Sequence, residues 1–144
     1  MAISRQVRDL IANAWPDLCP CLVGTVGKNG PQISPKSSVR VFDDDHLAYW
    51  ERSKRTALEN LRHDDRVVIY YANFRGIGAG TSNRPILYRF HGTAQLIESG
   101  EIRDRIFANM SEFERTHVGA DQGIAVLVKI DRVVDVVGRP VSLG

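Results

Sequence analysis

The residues with the clearest chemical potential form a basic, hydroxyl-rich segment at positions 52–56, immediately before a helical pattern of apolar residues. Lys54 and Arg55 supply positive charge, and Ser53 and Thr56 supply short hydrogen-bond donors. A helix N-terminus adds free backbone N–H groups and the positive end of the helix dipole. Either Thr56 or Ser53 can cap this helix. The segment therefore predicts a phosphate-binding site, with solvated loop charges as the simpler alternative.

The segment just upstream, residues 32–41, alternates polar and apolar side chains as a β-strand does. Its polar face carries Gln32, Ser34, Lys36, Ser38 and Arg40. Its other face carries Ile33, Val39 and Val41. Five polar residues are more than a strand needs for solubility, so this face either meets water or lines a polar ligand site.

The histidines give no sign of a metal site or a nucleophile pair. His46, His63, His91 and His117 lack metal-ligand spacing, and none stands near a serine or cysteine in a catalytic arrangement. We also find no general acid–base dyad. We therefore predict no metal and assign no catalytic residue, a pattern that fits chemistry carried by a bound cofactor.

Length and composition are those of one soluble globular domain: 144 residues, 43% hydrophobic and 25% charged. The net charge of +2 is too small to indicate a nucleic-acid partner. No apolar run reaches the ~20 residues that a membrane span needs. Because residues 1–5 have no hydrophobic signal core, we expect a cytoplasmic protein. Cys19 and Cys21 are expected to be reduced thiols, since a disulfide between them would be strained.

The periodicity along the chain predicts three helices and about six strands. Ser4 is expected to cap a first helix, and Ser99 a later one whose apolar stripe runs to Phe113. The strands are predicted at 21–26, 32–41, 46–50, 67–72, 86–97 and 124–137, the last as one bent strand or two short ones. Gly92 is expected to be a bulge or close-packing point. Since no βαβ alternation occurs, the fold class is mainly β, an antiparallel β-barrel with peripheral helices.

In this order of elements the chain resembles the flavin split barrels related to pyridoxamine 5′-phosphate oxidase. Four segments carry the resemblance: 31–38, 53–61, 84–94 and 138–141. The second, Ser53-Lys54-Arg55-Thr56 followed by Asn60-Leu61, is similar to the family's Lys-Thr-x-x-x-Asn-Leu segment, which grips the phosphate of FMN. The resemblance covers nearly the whole chain and implies a six-stranded antiparallel Greek-key split barrel of the FMN-binding type.

The resemblance also implies a set of cofactor-binding residues. The backbone of Lys36, Ser37, Ser38 and Val39 would lie along the edge of the isoalloxazine ring. Trp50 is counted among the cofactor-binding residues as well, although a core aromatic is the simpler interpretation of it. The phosphate would be held by Ser53, Lys54, Arg55 and Thr56. Some members carry a phosphate-binding lysine where this chain has Ala57, so Lys54 and Arg55 must take over that task. Residues 138–143 do not match the oxidase's substrate-binding Arg-Leu-x-Pro segment, so its substrate is not expected here.

The resemblance implies a homodimer with FMN in the cleft between two chains. The expected activity is electron transfer between a reduced nicotinamide and a small substrate or oxygen. A flavin or haem carrier without turnover, and a reductase that uses the deazaflavin F420, are the alternatives. Tyr49, Trp50 and Tyr88 are expected to add exposed apolar surface to the dimer interface. The glycine-containing loop 74–85 is predicted to act as a lid on the cleft rather than as a dinucleotide fingerprint.

Overall fold

The computed structural model describes residues 2–28, 30–52, 56–80 and 84–144. Its helices are α1 (Arg5–Ala12), α2 (Thr56–His63), α3 (Glu101–Ala108) and α4 (Glu112–Arg115), with a 3-10 turn at Ala120–Gln122. Its strands are β1 (Cys21–Gly27), β2 (Gly30–Lys36), β3 (Arg40–Asp43), β4 (His46–Glu51), β5 (Arg66–Asn73), β6 (Ile86–Ile97) and β7 (Ile124–Val134). None of the described helices is long and apolar enough to cross a membrane.

The strands form one antiparallel sheet in the order β2-β1-β5-β6-β7-β4-β3. β2 and β3 lie at its opposite edges, yet only residues 37–39 separate them in the chain. The sheet must therefore curl until its two edges approach each other at this bend. The predicted mainly β fold, an antiparallel split barrel with peripheral helices, is confirmed.

The described strands number seven rather than the predicted six, because residues 32–41 form two strands instead of one. Ser38 interrupts the run: its Oγ accepts a hydrogen bond from the Trp50 N–H at 2.9 Å and donates to the Trp50 carbonyl oxygen at 3.3 Å. β2 consequently pairs with β1, and β3 with β4. The polar alternation continues in phase through this bend, so periodicity alone does not reveal it.

The core fills the inside of the barrel and extends to α1. The predicted cap is present, since Ser4 Oγ accepts a hydrogen bond from the Val7 N–H at 3.2 Å. Val7, Leu10 and Ile11 are buried, as one stripe of an amphipathic helix should be. They pack in the same cluster as the inward residues of the strands, so α1 closes one side of the barrel.

The predicted helix from Ser99 to Phe113 is wrong in two respects. Gly100, with φ at 101°, precedes α3, and its conformation favours glycine over the expected Ser99 cap. α3 then ends before Asn109, and a capping box between Ser111 and Glu114 begins the separate helix α4. Phe113 is therefore exposed instead of belonging to a continuous buried stripe.

Both cysteines are free thiols near the start of β1. Cys21 is buried, and burial raises the pKa of its thiol to about 12. Cys19 is half-buried, and burial raises its pKa as well. Because the thiolate is the reactive form, Cys21 serves as a small core residue.

Gly92 is a close-packing point on β6, as predicted. The pairing of β6 with β7 shifts register between His91 and Gly92. A Cβ at position 92 would lie 2.5 Å from the Lys129 carbonyl oxygen and 2.6 Å from Val128 Cγ1. Only glycine allows the two strands to approach this closely.

Replacing Gly92 by alanine is therefore expected to lower the free energy of unfolding by about 1–3 kcal/mol, because the added methyl group forces the backbone of β7 to shift. Urea denaturation measures the loss. Gln95→Ala, at an exposed position of the same strand, is the control and should stay within about 0.5 kcal/mol of the parent. Equal stability of the two variants would show that the strands can separate at this point without cost.

Candidate functional site

A cleft of about 1040 Å³ opens where the β2–β3 bend, the end of β4 and residues 110–119 meet. Its volume is slightly above the usual range for small-molecule sites, about 300–1,000 Å³. Residues from distant parts of the chain line it: Ala12, Asn13, Trp15, Pro16, Pro35, Lys36, Ser37, Ser38, Arg40, Trp50, Glu51, Arg52, Met110, Ser111, Phe113, Glu114, His117, Val118 and Gly119.

The β2–β3 bend brings polar side chains to the cleft. Gln32, Ser34 and Lys36 on β2 are half-buried, whereas Ile33 between them is 70% exposed. The polar face of β2 therefore turns away from water. Lys36, Ser37 and Ser38 all line the cleft. Of the two interpretations left open by the sequence, this orientation favours a polar ligand site over a water-facing strand.

Lys36 and Glu51 form an ion pair at the cleft floor. Lys36 Nζ donates to Glu51 Oε1 at 3.0 Å and lies 2.8 Å from Oε2, outside hydrogen-bonding geometry. The Glu51 side chain is 2% exposed and that of Lys36 is 17% exposed. The nearby Tyr49 hydroxyl is buried without a hydrogen-bond partner among the described residues, and burial together with the charge of Glu51 raises its pKa. The floor is thus a buried polar cluster with no net charge.

Glu114 holds the segment 110–119 against the bend. Ser37 Oγ donates to Glu114 Oε2 at 2.8 Å, and Arg40 Nη2 lies 3.8 Å from Oε1. Burial lowers the pKa of Arg40, while the charge of Glu114 opposes this effect. Arg40 also donates to the carbonyl oxygens of Ser37 and Val39. One carboxylate therefore joins the bend and α4, which form two walls of the cleft.

Trp50 anchors the far end of the same segment. Its Nε1 donates to the Ala120 carbonyl oxygen at 2.7 Å, and its ring packs edge-on against Phe107 at 5.0 Å. The Arg103 guanidinium lies 4.6 Å from the ring centroid. With 3% of its surface exposed, Trp50 contributes to the cleft wall and to the packing of α3.

The mouth of the cleft is apolar and open. Trp15, Phe113 and Val118 line it and are 51%, 83% and 96% exposed. His117 is exposed beside them. Large apolar side chains at this level of exposure usually mark a surface that binds a ligand or another protein.

The predicted cofactor-binding residues divide into three groups. Lys36, Ser37, Ser38 and Trp50 come together in the cleft. Val39 is 1% exposed and its side chain belongs to the core, while Thr56 is the first residue of α2. Ser53, Lys54 and Arg55 lie outside the described residues, so the phosphate site remains a prediction. The chain enters that segment from Arg52, which lines the cleft, and leaves it at the start of α2.

Two predictions about the surroundings of the site need correction or restriction. Tyr49 and Trp50 are buried and Tyr88 is half-buried, because β4 and β6 pack their aromatic rings within the fold rather than on its surface. Tyr49 and Trp50 therefore add no exposed apolar surface, and Tyr88 adds only part of its ring. The described residues 74–80 of the predicted lid do not line the cleft; Gly78 lies against Leu10 of α1.

Sequence reasoning missed Glu51, Glu114, His117 and Trp15 as parts of the site. The capping box that begins with Ser111 was readable and would have located α4. The side-chain contacts could not be predicted from the sequence, because Lys36 and Glu51 are 15 residues apart and Ser37 and Glu114 are 77 residues apart.

Comparison with known families identifies the chain. The sequence model of the pyridoxamine 5′-phosphate oxidase family matches residues 6–134, almost the whole chain, so the protein belongs to this family. A search of curated proteins gave no match.

Solved structures of the same fold have diverse descriptions. HupZ of Group A Streptococcus superposes with a TM-score of 0.73 and 22% identity, over 97% of this chain and 99% of that one. An FMN-binding protein of Syntrophomonas wolfei superposes with a TM-score of 0.64 and 15% identity, over 90% of this chain and 83% of that one. HutZ, the haem storage protein of Vibrio cholerae, superposes with a TM-score of 0.67 and 12% identity, over 94% of this chain and 95% of that one. At these identities the comparisons define the fold and leave the ligand open.

Proposed function

We propose that the protein is a homodimeric FMN-dependent oxidoreductase that holds the flavin in the cleft beside the β2–β3 bend. The observation that carries the proposal is the convergence of four predicted cofactor residues on this one cleft: Lys36, Ser37, Ser38 and Trp50. Membership of the pyridoxamine 5′-phosphate oxidase family supports it.

The lining of the cleft supports flavin mononucleotide as the ligand. Lys36, on the half-buried polar side of β2, and the backbone of the bend would face the edge of a planar heterocycle. Arg52, at the cleft edge, leads into the basic residues that we predict to bind the phosphate at the start of α2. When bound, FMN would supply two-electron transfer between a reduced nicotinamide and a small substrate or oxygen.

The protein's own contribution would be orientation and exclusion of water. The Ser38–Trp50 hydrogen bonds fix the bend, and the Glu114 contacts fix the opposite wall. A ligand between these walls meets groups whose positions are already set, which lowers the cost of ordering them. Trp15, Phe113 and Val118 would shield the ring from bulk water at the mouth.

Anaerobic reduction tests the oxidoreductase part. FMN-loaded protein is mixed with NADH or NADPH without oxygen, and the absorbance of the oxidised flavin is followed. Loss of this absorbance at a rate that saturates with nicotinamide concentration is the expected result. If neither nicotinamide nor reduced F420 exchanges electrons with bound FMN, the protein is a flavin carrier and not an enzyme.

The exposed apolar residues around the mouth and on β2 also support a homodimer. Ile33 and Val118 are 70% and 96% exposed, and burying both against a second chain removes their contact with water. We expect a stable dimer whose interface is on the order of 2,000 Å² or larger.

Sedimentation at micromolar concentration should give a dimer, and the double variant Ile33→Asp with Val118→Asp should be largely monomeric, because it would place charge in an apolar interface. Gln95→Asp, at another exposed position, is the control and should remain dimeric. A monomeric parent protein would contradict both the dimer and a flavin site shared between chains.

A second candidate function, haem binding, is favoured by His117. Its imidazole lies at the cleft among the apolar side chains of Phe113 and Val118, and imidazole is a common ligand of haem iron. Addition of haem to the purified protein tests this function. A Soret band that shifts on binding and is lost in His117→Ala would favour haem, whereas a band unchanged by that substitution would exclude His117 as its ligand.

A further inference from the structure

The ion pair at the floor of the cleft has two unequally buried members. The Glu51 side chain is 2% exposed and that of Lys36 is 17% exposed, although their charged groups are in contact. Lys36 is the last residue of β2, and Glu51 is the last residue of β4. The ammonium group is thus the member of the pair that a ligand in the cleft would meet first, with the carboxylate behind it.

Among the described residues, the other charged or titratable groups that line the cleft are Arg40, Arg52, Glu114 and His117. Arg40 is engaged by Glu114, so their charges largely cancel. Arg52 and His117 are exposed, where water screens them. A charge with little exposure acts more strongly on a neighbouring ligand than an exposed one does.

Stability alone does not explain a buried ion pair. Apolar residues of similar volume often stabilise a protein as well or better, because the desolvation of two charges costs about as much as their attraction returns. The Tyr49 hydroxyl, whose pKa the charge of Glu51 helps to raise, is also buried and has no hydrogen-bond partner among the described residues. Both residues line the cleft, so a role toward a ligand bound there is the alternative to a purely stabilising one.

We infer that Glu51 is a positioning residue of the proposed flavin site, which fixes Lys36 in the cleft floor and cancels most of its charge. The inference depends on the proposed FMN function. An uncompensated ammonium group beside the flavin would favour the reduced form, because the ring system gains negative charge on reduction. With Glu51 in place, the midpoint potential of bound FMN stays low, which suits onward transfer of electrons.

The test compares the parent protein, Glu51→Gln and the double variant Lys36→Met with Glu51→Gln. For each, the midpoint potential of bound FMN is measured, which gives the ratio of the affinities for reduced and oxidised FMN. Glu51→Gln should raise this ratio roughly tenfold or more, a shift of about 30 mV to more positive potential. The double variant, which has neither charge, should return to within roughly threefold of the parent.

Glu98→Gln is the matched control, since this carboxylate also pairs with a cation but is 69% exposed. It should leave the potential unchanged. If Glu51→Gln unfolds, Glu51→Asp takes its place, because it withdraws the carboxylate from Lys36 and should shift the potential in the same direction. Circular dichroism verifies the fold of each variant.

The outcomes separate this inference from the proposed function. If the parent binds FMN and Glu51→Gln weakens both redox forms equally, or changes neither, Glu51 has only a structural role and the inference is overturned. If the parent does not bind FMN at all, the proposed function itself fails. A tenfold change in the ratio that the double variant reverses supports the inference.

Discussion

Alanine at both Lys54 and Arg55 is expected to weaken FMN binding at least tenfold. Each side chain can give the phosphate a charge-assisted hydrogen bond worth ~1.5–3 kcal/mol, and about 1.4 kcal/mol corresponds to a tenfold change in affinity. Titration of the apoprotein with FMN, followed by flavin fluorescence, measures the loss. The fold should persist, because the substitutions remove polar side chains between Arg52 and α2.

The control is a second charge-matched pair, Lys129→Ala with Arg132→Ala. Both residues are exposed on β7 and neither lines the cleft. This variant loses the same net charge, so it separates a local phosphate contact from the overall field of the protein. Equal loss of affinity in the two double variants, or no loss in either, would mean that the phosphate is held elsewhere.

Replacing Lys36 by methionine is expected to lower the free energy of unfolding by about 3–5 kcal/mol, because it leaves the Glu51 carboxylate buried without a partner. Adding Glu51→Gln to this variant should recover most of the loss, since no charge then remains buried. Guanidinium denaturation measures the free energy of unfolding of both variants.

Arg62→Met is the comparison for that experiment. Arg62 also pairs with a carboxylate, at 3.4 Å from Glu98, but the two side chains are 56% and 69% exposed. An exposed pair contributes at most about 1 kcal/mol. If Lys36→Met costs no more than Arg62→Met, the floor of the cleft is hydrated in solution and the buried ion pair does not exist there.

Much of the fold could be predicted because its local signals agree with its tertiary structure. Both predicted ends of β6, Ile86 and Ile97, agree with the structure, and Gly92 lies at the predicted bulge. The predictions failed where a long-range contact overrode the local pattern. Ser38 leaves the strand to bond the Trp50 backbone, and this contact divides one predicted strand into two. Periodicity contains no information about such a partner.

In the candidate site, too, family resemblance and local pattern identified some residues, whereas residues that depend on long-range contacts were missed. Resemblance to the family placed Lys36, Ser37 and Ser38 at the cofactor, and the structure brings all three to one cleft. The resemblance could not identify Glu51 or Glu114, because their contacts form only when distant strands and α4 meet. The phosphate-binding site stays a prediction, since Ser53, Lys54 and Arg55 lie outside the described residues and Thr56 is the first residue of α2.

The central claim, that this cleft binds FMN, is tested most directly by incubating the purified protein with excess FMN, separating free flavin by gel filtration and recording the absorption spectrum. We predict that the protein peak retains flavin bands with about one FMN per chain, because the proposed site is this one cleft. A protein peak without flavin absorbance, or one that retains haem but no FMN when both are offered, would contradict it.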